Sequence, residues 1–287
     1  MRTAFTLATL LALAGCAVIV VPDDGSVHYQ SSWGSNPFIQ GNGQNTVEQR
    51  SIGAFSTLDI NGPVQVEVRV GGAPALQLEG ESNLLPLVRT DGSGSTLRIW
   101  VEGSFVNHGA LRVIYTTPQL KQVESNGSGT LVVNGLQNGS LAISQNGSRS
   151  TQLFGNLDRL DLRMNGSGGV NANGLGASNV QASLNGSGRL SLGQLSGDSL
   201  ALDLHGSGGA TASGSMRSVS VRTYGSGSAD LAGLSSQGAE LSSNGSGSIT
   251  AAVTQNLVAD ANGSGHITVY GNPQQRSVSG RHVSVVQ

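Results

Sequence analysis

The sequence predicts an all-β protein, a parallel β-helix (β-solenoid) with about 20 residues per rung. A short corner sequence, most often spelled NGSG, recurs at intervals of 18 to 20 residues between positions 127 and 263. Between the corners, apolar and polar residues alternate with the period of two that is typical of β-strands. This regular self-similarity indicates a solenoid, and no long stretch has the apolar periodicity of a helix.

The composition supports a repeated β-structure and argues against several function classes. Of the 287 residues, 43 are glycine, 11% are charged and 37% are hydrophobic. A chain this rich in glycine either stays disordered or repeats a simple unit, and the even spread of its aliphatic residues favours the repeat. The net charge of −2 does not indicate the positively charged surface that nucleic-acid binding requires.

The N-terminus resembles a bacterial lipoprotein signal, so residues 1–15 are predicted to be a signal peptide. After Arg2, the apolar run is too short to span a bilayer, and it ends in the lipobox-like sequence LAGC at Cys16. The resemblance implies cleavage before Cys16, lipidation of its thiol and a membrane anchor; an ordinary signal peptide is the alternative. Ala17, in place of Asp, implies sorting to the outer membrane in a Gram-negative cell. Cys16 is the only cysteine, which excludes an intramolecular disulfide.

The residue pattern divides the rest of the chain into a tether and one domain. Residues 16–49 lack sustained periodicity and contain many turn residues, so a lipidated Cys16 followed by a flexible tether is predicted there. Residues 50–287 form the predicted domain, with an irregular part, 50–124, and regular rungs, 125–287. Valines spaced by two predict a strand in the irregular part, at Val64, Val66, Val68 and Val70.

Each regular rung is predicted to contain two strands and two corners. The residues four and six positions after the first corner glycine, and six and four positions before the next one, are mostly Leu, Val, Ile or Ala. Their spacing puts them on the inward face of each strand. A second glycine commonly follows at position eight and predicts a second corner. A leucine-rich repeat is the alternative, because residues 157–165 fit its consensus, but the Gly-rich remainder of each rung offers no helix.

The NGSG corner is predicted to be structural. Glycine adopts backbone conformations that a side chain blocks, which lets every rung turn at the same place. Stacked Asn and Ser side chains predict a hydrogen-bonded ladder, interrupted at Arg149, His205 and Tyr224. A phosphate-binding loop is excluded because no lysine follows Gly-Ser-Gly. The corners also match N-x-S/T, the acceptor pattern for N-glycosylation, but this match is a by-product of the recurring corner sequence. The first corner glycines are Gly127, Gly147, Gly166, Gly186, Gly206, Gly225, Gly245 and Gly263.

The pattern predicts no catalytic residue, metal site or cofactor. Acidic residues are scattered over different columns and rungs, whereas polysaccharide-degrading β-helices cluster them on one face. Asp203 and Arg222 stand at equivalent positions on adjacent rungs, which predicts a solvated ion pair more strongly than a catalytic dyad. The histidines share no metal-ligand spacing.

Several segments together resemble the putative auto-transporter adhesin, head GIN domain family, a family of unknown function. These segments are RSIGAFSTL at 50–58, the alternating valines at 64–70, NLLP at 83–86, the strand at 111–118 and the train of GSG units. The resemblance covers residues 50–287. It implies a right-handed parallel β-helix on secreted or lipid-anchored bacterial proteins, and it carries no catalytic residues.

We therefore predict a noncatalytic cell-envelope lipoprotein, anchored to the membrane through Cys16. Its outward columns are rich in Ser, Asn, Gln and Thr, which favours many weak contacts with glycan or protein partners. Two alternatives stay open: a purely structural envelope protein, and a polysaccharide-degrading β-helix enzyme. No nucleic-acid partner is expected.

Overall fold

The computed structural model describes residues 17–20, 28–31, 38–107, 109 and 111–286. The predicted signal peptide, 1–15, and the predicted lipidation site, Cys16, lie outside the described residues. The described chain is 74% strand and forms a β-solenoid of about eight turns with about 20 residues per turn. The predicted fold class, an all-β parallel β-helix, is confirmed.

Short strands make up the N-terminal part of the fold. A single 3-10 turn, Leu85–Leu87, is the only helical element in the described part of the chain. The strands are β1 Ala17–Val20, β2 His28–Ser31, β3 Ile39–Gln40, β4 Asn45–Arg50, β5 Thr57–Asn61, β6 Gln65–Val70, β7 Ala75–Glu81, β8 Val88–Ser93, β9 Thr96–Val101, β10 Phe105–Val106, β11 Arg112–Thr117 and β12 Gln122–Gly127.

Longer strands make up the regular part, where one strand often continues around the second corner of the rung. They are β13 Thr130–Gln137, β14 Ser140–Gly147, β15 Ser150–Gly166, β16 Gly169–Gly186, β17 Arg189–Gly206, β18 Gly209–Gly225, β19 Ser228–Gly245, β20 Ile249–Gly263, β21 Ile267–Tyr270, β22 Gln275–Ser279 and β23 Val283–Val286.

The strand segments stack into two long parallel faces. We call the face that follows each NGSG corner face 1; in stacking order it contains β4, β7, β11, β6, β13, the first halves of β15 to β20, β21 and β23. We call the face that precedes each corner face 2; it contains β8, β9, β5, β12, β14, the second halves of β15 to β20, and β22.

Antiparallel strands distinguish the N-terminal end of the stack. β4 pairs antiparallel with β7, β7 with β11, and β8 with β9, whereas β5 and β6 already join the parallel stack. Strands β1 to β3, and all of β4 except Arg50, thus lie within the segment predicted as tether. β4 was not predicted because it is an edge strand whose residues, NTVEQR, stay mostly exposed and show no apolar alternation.

The core lies between the faces and is filled by the inward columns. Every residue at the four predicted inward positions of the regular rungs is buried. A further inward column, two residues before the corner glycine, was not predicted. Its members are Ser125, Gln145, Met164, Leu184, Leu204, Thr223, Ser243 and Ala261, all buried.

The corners are close contacts between backbones. All eight first corner glycines have positive φ, between 105° and 155°, and each lies in register with the corner glycine of the next rung. At Gly186, an added Cβ would lie 2.4 Å from the carbonyl oxygen of Gly166. The same carbonyl accepts hydrogen bonds from the backbone N–H groups of Ser187 and Gly188, at 3.0 and 3.1 Å. These glycines therefore set the stacking of the rungs.

Candidate binding face

Asparagine side chains at the corners bond to one another along the stack. Asn146 Nδ2 donates to Asn126 Oδ1 at 2.9 Å, Asn165 to Asn146 at 2.8 Å, and Asn185 to Asn165 at 3.0 Å. The ladder begins one rung earlier than the repeats indicate, since Asn126 donates to Asn61 at 3.1 Å. Because the amides satisfy each other, the ladder is part of the scaffold.

The predicted interruption of the ladder at His205 and Tyr224 is confirmed, whereas the one predicted at Arg149 is wrong, because Asn146 bonds to both neighbouring rungs. The rings of His205 and Tyr224 stack on each other, with centroids 4.7 Å apart and planes 4° from parallel. They form a ring contact between adjacent rungs in place of hydrogen bonds, and beyond them Asn244 and Asn262 donate to Ser242 and Asp260 of their own strands. The stacked faces of the two rings are occupied by each other, although Tyr224 is 42% exposed overall.

Arg149 is the largest departure from the repeat. It occupies the place of the second corner glycine, yet its side chain is fully buried. Nη1 donates to the carbonyl of Val64 and Nη2 to that of Gly62, both at 2.7 Å. Burial lowers its pKa to about 10, so the guanidinium remains charged at neutral pH. Arg149 thus ties the regular rungs to the N-terminal part of the stack.

Two further polar side chains complete this buried cluster. Gln145 Nε2 donates to the carbonyl of Arg149 at 2.8 Å, and Thr151 Oγ1 donates to Gln145 Oε1 at 2.6 Å. Gln145 and Thr151 thus find hydrogen-bond partners inside the stack, as most buried polar groups do, whereas Arg149 Nε has none among the described residues. The cluster is a structural device and offers no opening for a ligand.

The outer surface of face 2 contains a shallow depression of about 300 Å³. Period-two alternation places outward residues three, five and seven positions before each corner glycine, and stacking aligns them from rung to rung. Small residues on β14 and β16 leave room beside the longer side chains of β15. The lining includes Ala142, Ser144, Arg159, Asp161, Arg163 and Gln181.

The two arginines of β15 differ in their partners. Arg159 Nη2 donates to Asp161 Oδ1 at 2.7 Å and to Gln181 Oε1 at 3.1 Å. The hydrogen bond to Asp161, together with the charge of that carboxylate, raises the pKa of Arg159. Asp161 and Gln181 therefore hold Arg159 across the depression.

Arg163 has no such partner. It lies between two serines in register, Ser144 on one side and Ser183 on the other. In the described structure no carboxylate lies within ion-pair distance of its guanidinium. Its N–H donors are thus available to a ligand that enters the depression.

Asp203 lines the far side of the depression and pairs as expected across the stack. Arg222 Nη1 lies 3.9 Å from Asp203 Oδ1, and Arg222 Nη2 lies 3.3 Å from Glu240 Oε1. All three side chains are substantially exposed, so the pairs are solvated surface interactions.

Metal-binding side chains do not converge in the described part of the chain, where no group of three or more His, Cys, Asp or Glu residues could hold a metal ion. His266 and His282 are neighbours, with ring centroids 4.8 Å apart, but they have no third ligand there. Among the described helical elements, none has the length and apolar character needed to cross a membrane.

Comparison with known proteins agrees with the architecture. The model of a family described as "Putative auto-transporter adhesin, head GIN domain" matches residues 54–196 and 174–273. No protein of curated function matches the chain.

Three solved structures have a similar fold. A putative lipid binding protein from Parabacteroides distasonis has 22% identity and a TM-score of 0.62, and the match covers 88% of this chain and 100% of that one. A putative adhesin from Parabacteroides merdae has 19% identity and a TM-score of 0.64, with 87% and 99% covered. A putative adhesin from Parabacteroides distasonis has 18% identity and a TM-score of 0.66, with 87% and 100% covered.

Proposed function

Since the chain belongs to the putative auto-transporter adhesin, head GIN domain family, we propose that it is a noncatalytic cell-envelope lipoprotein that binds a glycan through face 2. Membership in an adhesin-like family supports an envelope location. The observation that carries the proposal is the depression around Arg163. There an unpaired guanidinium stands among hydroxyl and amide side chains on a rigid sheet.

The chemistry of the depression fits a glycan that carries a carboxylate. An arginine fork matches a carboxylate with paired, charge-assisted hydrogen bonds. Ser144 and Gln181 offer hydroxyl and amide groups that can exchange hydrogen bonds with sugar hydroxyls. Because similar polar columns continue over many rungs of face 2, a repeating glycan can add contacts and gain avidity.

Arg163→Ala is expected to weaken glycan binding by roughly tenfold or more, because a charge-assisted contact in the depression is lost. The measurement is binding of the chain to an array of neutral and acidic glycans, followed by titration calorimetry with the strongest ligand. Arg189→Ala is the matched control. Arg189 is also exposed and without an ion pair in the described structure, but it begins β17 on face 1.

Equal loss of affinity in the two variants would contradict binding at the depression. A blank array together with a blank pull-down of envelope proteins would favour the purely structural alternative. Release of reducing ends or unsaturated sugars from acidic polysaccharides, abolished by Asp203→Ala, would overturn the noncatalytic assignment.

Membrane anchoring is proposed to depend on Cys16, which lies outside the described residues. Cys16→Ser is expected to move the protein from the membrane fraction to the soluble fraction, because a lipid anchor requires the thiol. Fractionation of the cell envelope followed by immunoblotting measures this distribution, with Ser26→Cys on the Cys16→Ser background as a control for thiol position. A Cys16→Ser chain that still fractionates fully with membranes after a high-salt wash would contradict lipidation as the anchor.

A further inference from the structure

Apolar side chains are exposed together at the N-terminal end of the solenoid. Among the residues whose burial the structure describes, ten large hydrophobic side chains are exposed, and four of them belong to this part of the chain: Phe38, Ile39, Val47 and Val106. Phe38 is 69% exposed and Val106 is 51% exposed. Contiguous exposed apolar surface on a soluble domain commonly marks an interaction site.

Three of these residues belong to one small structure, which we call the knuckle: Phe38 to Gln40 with Phe105 and Val106. β3 and β10 pair in parallel, with Ile39 opposite Phe105 and Gln40 opposite Val106. Backbone hydrogen bonds extend the pairing on both sides, from Ile39 N to Ser104 O at 2.9 Å and from Gly41 N to Val106 O at 2.8 Å.

The knuckle is fastened to the body of the domain by polar contacts. Asn83 Nδ2 donates to the carbonyl of Gln40 at 2.7 Å, and the backbone N–H of Asn42 donates to Asn83 Oδ1 at 3.1 Å. Asn83 directly precedes the buried Leu84 and Leu85. These contacts hold the backbone in place while Phe38 and Val106 remain in solvent.

Position in the chain indicates what covers the knuckle. Only residues 17–37 separate it from Cys16. This segment includes the antiparallel pair β1 and β2, and even a fully extended segment of that length reaches at most about 70 Å. A chain anchored at Cys16 therefore keeps the knuckle within reach of the bilayer at high effective concentration.

Charge also favours a lipid surface. Residues 38–47 and 103–107 contain no Asp, Glu, Lys or Arg. Apolar and aromatic side chains partition into the boundary between headgroups and acyl chains, whereas charged side chains would oppose insertion. We propose that the knuckle inserts into the surface of the membrane to which the chain is anchored, an inference that rests on the proposed envelope location.

This contact would set the orientation of the binding face. The end of the solenoid that carries the knuckle would rest on the bilayer. The depression spans β12 to β17, two to six strands beyond β9 on face 2. At about 4.8 Å per strand, it would stand about 10 to 30 Å farther from the membrane than β9.

The test is flotation of the full chain, as the unlipidated Cys16→Ser variant, with vesicles of phosphatidylethanolamine and phosphatidylglycerol. The parent should float with the vesicles, and added salt should not release it because the knuckle is uncharged. Phe38→Ser/Val106→Ser should lower the partition coefficient roughly tenfold or more, since two apolar side chains are lost from the contact. Val258→Ser is the matched control, because Val258 is also 51% exposed but lies on β20, far along the stack.

Absence of flotation by the parent, equal flotation of the parent and the double variant, or equal loss in the Val258→Ser control would overturn the proposal. Release of the protein from the vesicles by salt would also overturn it, because the contact would then be electrostatic.

Circular dichroism melts show whether each variant folds, and all three substitutions are at exposed positions. Glycan binding should be unchanged in the double variant, so failure of the knuckle proposal and failure of the glycan proposal are distinguishable. Because the chain lacks the Cys16 thiol, the result does not depend on lipidation.

Discussion

Gly186→Val is expected to lower the free energy of unfolding by about 3 to 5 kcal/mol, the largest effect we predict for a single substitution. Gly186 has φ +125°, a conformation in which a β-branched residue is strained. The new Cβ would also lie 2.4 Å from the carbonyl oxygen of Gly166. To relieve the overlap, two rungs must separate, and the hydrogen bonds that Gly166 accepts from Ser187 and Gly188 would weaken.

Denaturant unfolding followed by circular dichroism measures this loss. Gly169→Ala on the same strand is the control. Gly169 does not have positive φ, and the nearest atom to its added Cβ is 3.6 Å away. We expect the control to change stability by no more than about 0.5 kcal/mol. A Gly186→Val chain with the midpoint of the parent would show that the corners tolerate side chains and do not set the stacking.

Arg149→Met is expected to lower the free energy of unfolding by about 2 to 4 kcal/mol. Methionine keeps an apolar stem in the corner but removes the donors to the carbonyls of Gly62 and Val64. Methionine also carries no charge, so the cost of taking the guanidinium charge out of water is no longer paid. The expected loss of stability is therefore smaller than the loss from the missing hydrogen bonds alone. The loss should be concentrated where the N-terminal strands join the regular rungs.

Hydrogen exchange can locate that loss as well as measure it. Faster exchange is expected in the turn between β5 and β6, which holds Gly62 and Val64, and at the start of β13, where Arg149 Nη1 also donates to Thr130 O at 3.3 Å, with little change in β18 and β19. Arg163→Met is the control for removal of an arginine, because Arg163 is exposed and makes no ion pair in the described structure. Equal stability of Arg149→Met and the parent would mean that the buried guanidinium is not a structural tie.

The regular rungs could be predicted in detail because their information is local and repeated. A single period of about 20 residues aligns the corners, and alternation around each corner then gives the inward columns. The column that was missed, two residues before the corner glycine, continues the same alternation. It was obscured because polar residues such as Ser125, Gln145 and Thr223 occupy several of its places.

The remaining features depend on contacts that are distant in sequence. Arg149 looks like a tolerated surface variant until its partner Val64, 85 residues earlier, is brought beside it. Similarly, β5 and β12 pair across an insertion of about 60 residues that breaks the repeat. The outward position of Arg163 could be predicted from the period, but its lack of a partner depends on the side chains of the adjoining rungs.

The place where a glycan binds can be observed by NMR of the arginine Nε–H groups, with the full chain titrated against the strongest ligand from the array. The proposed function predicts that the Arg163 signal shifts on binding and that the side-chain amide of Gln181 shifts with it. Signals of Arg189 on face 1 and of the buried Arg149 should stay unchanged. Shifts confined to Arg189, or binding that leaves Arg163 and Gln181 unperturbed, would contradict the assignment of the depression on face 2 as the binding site.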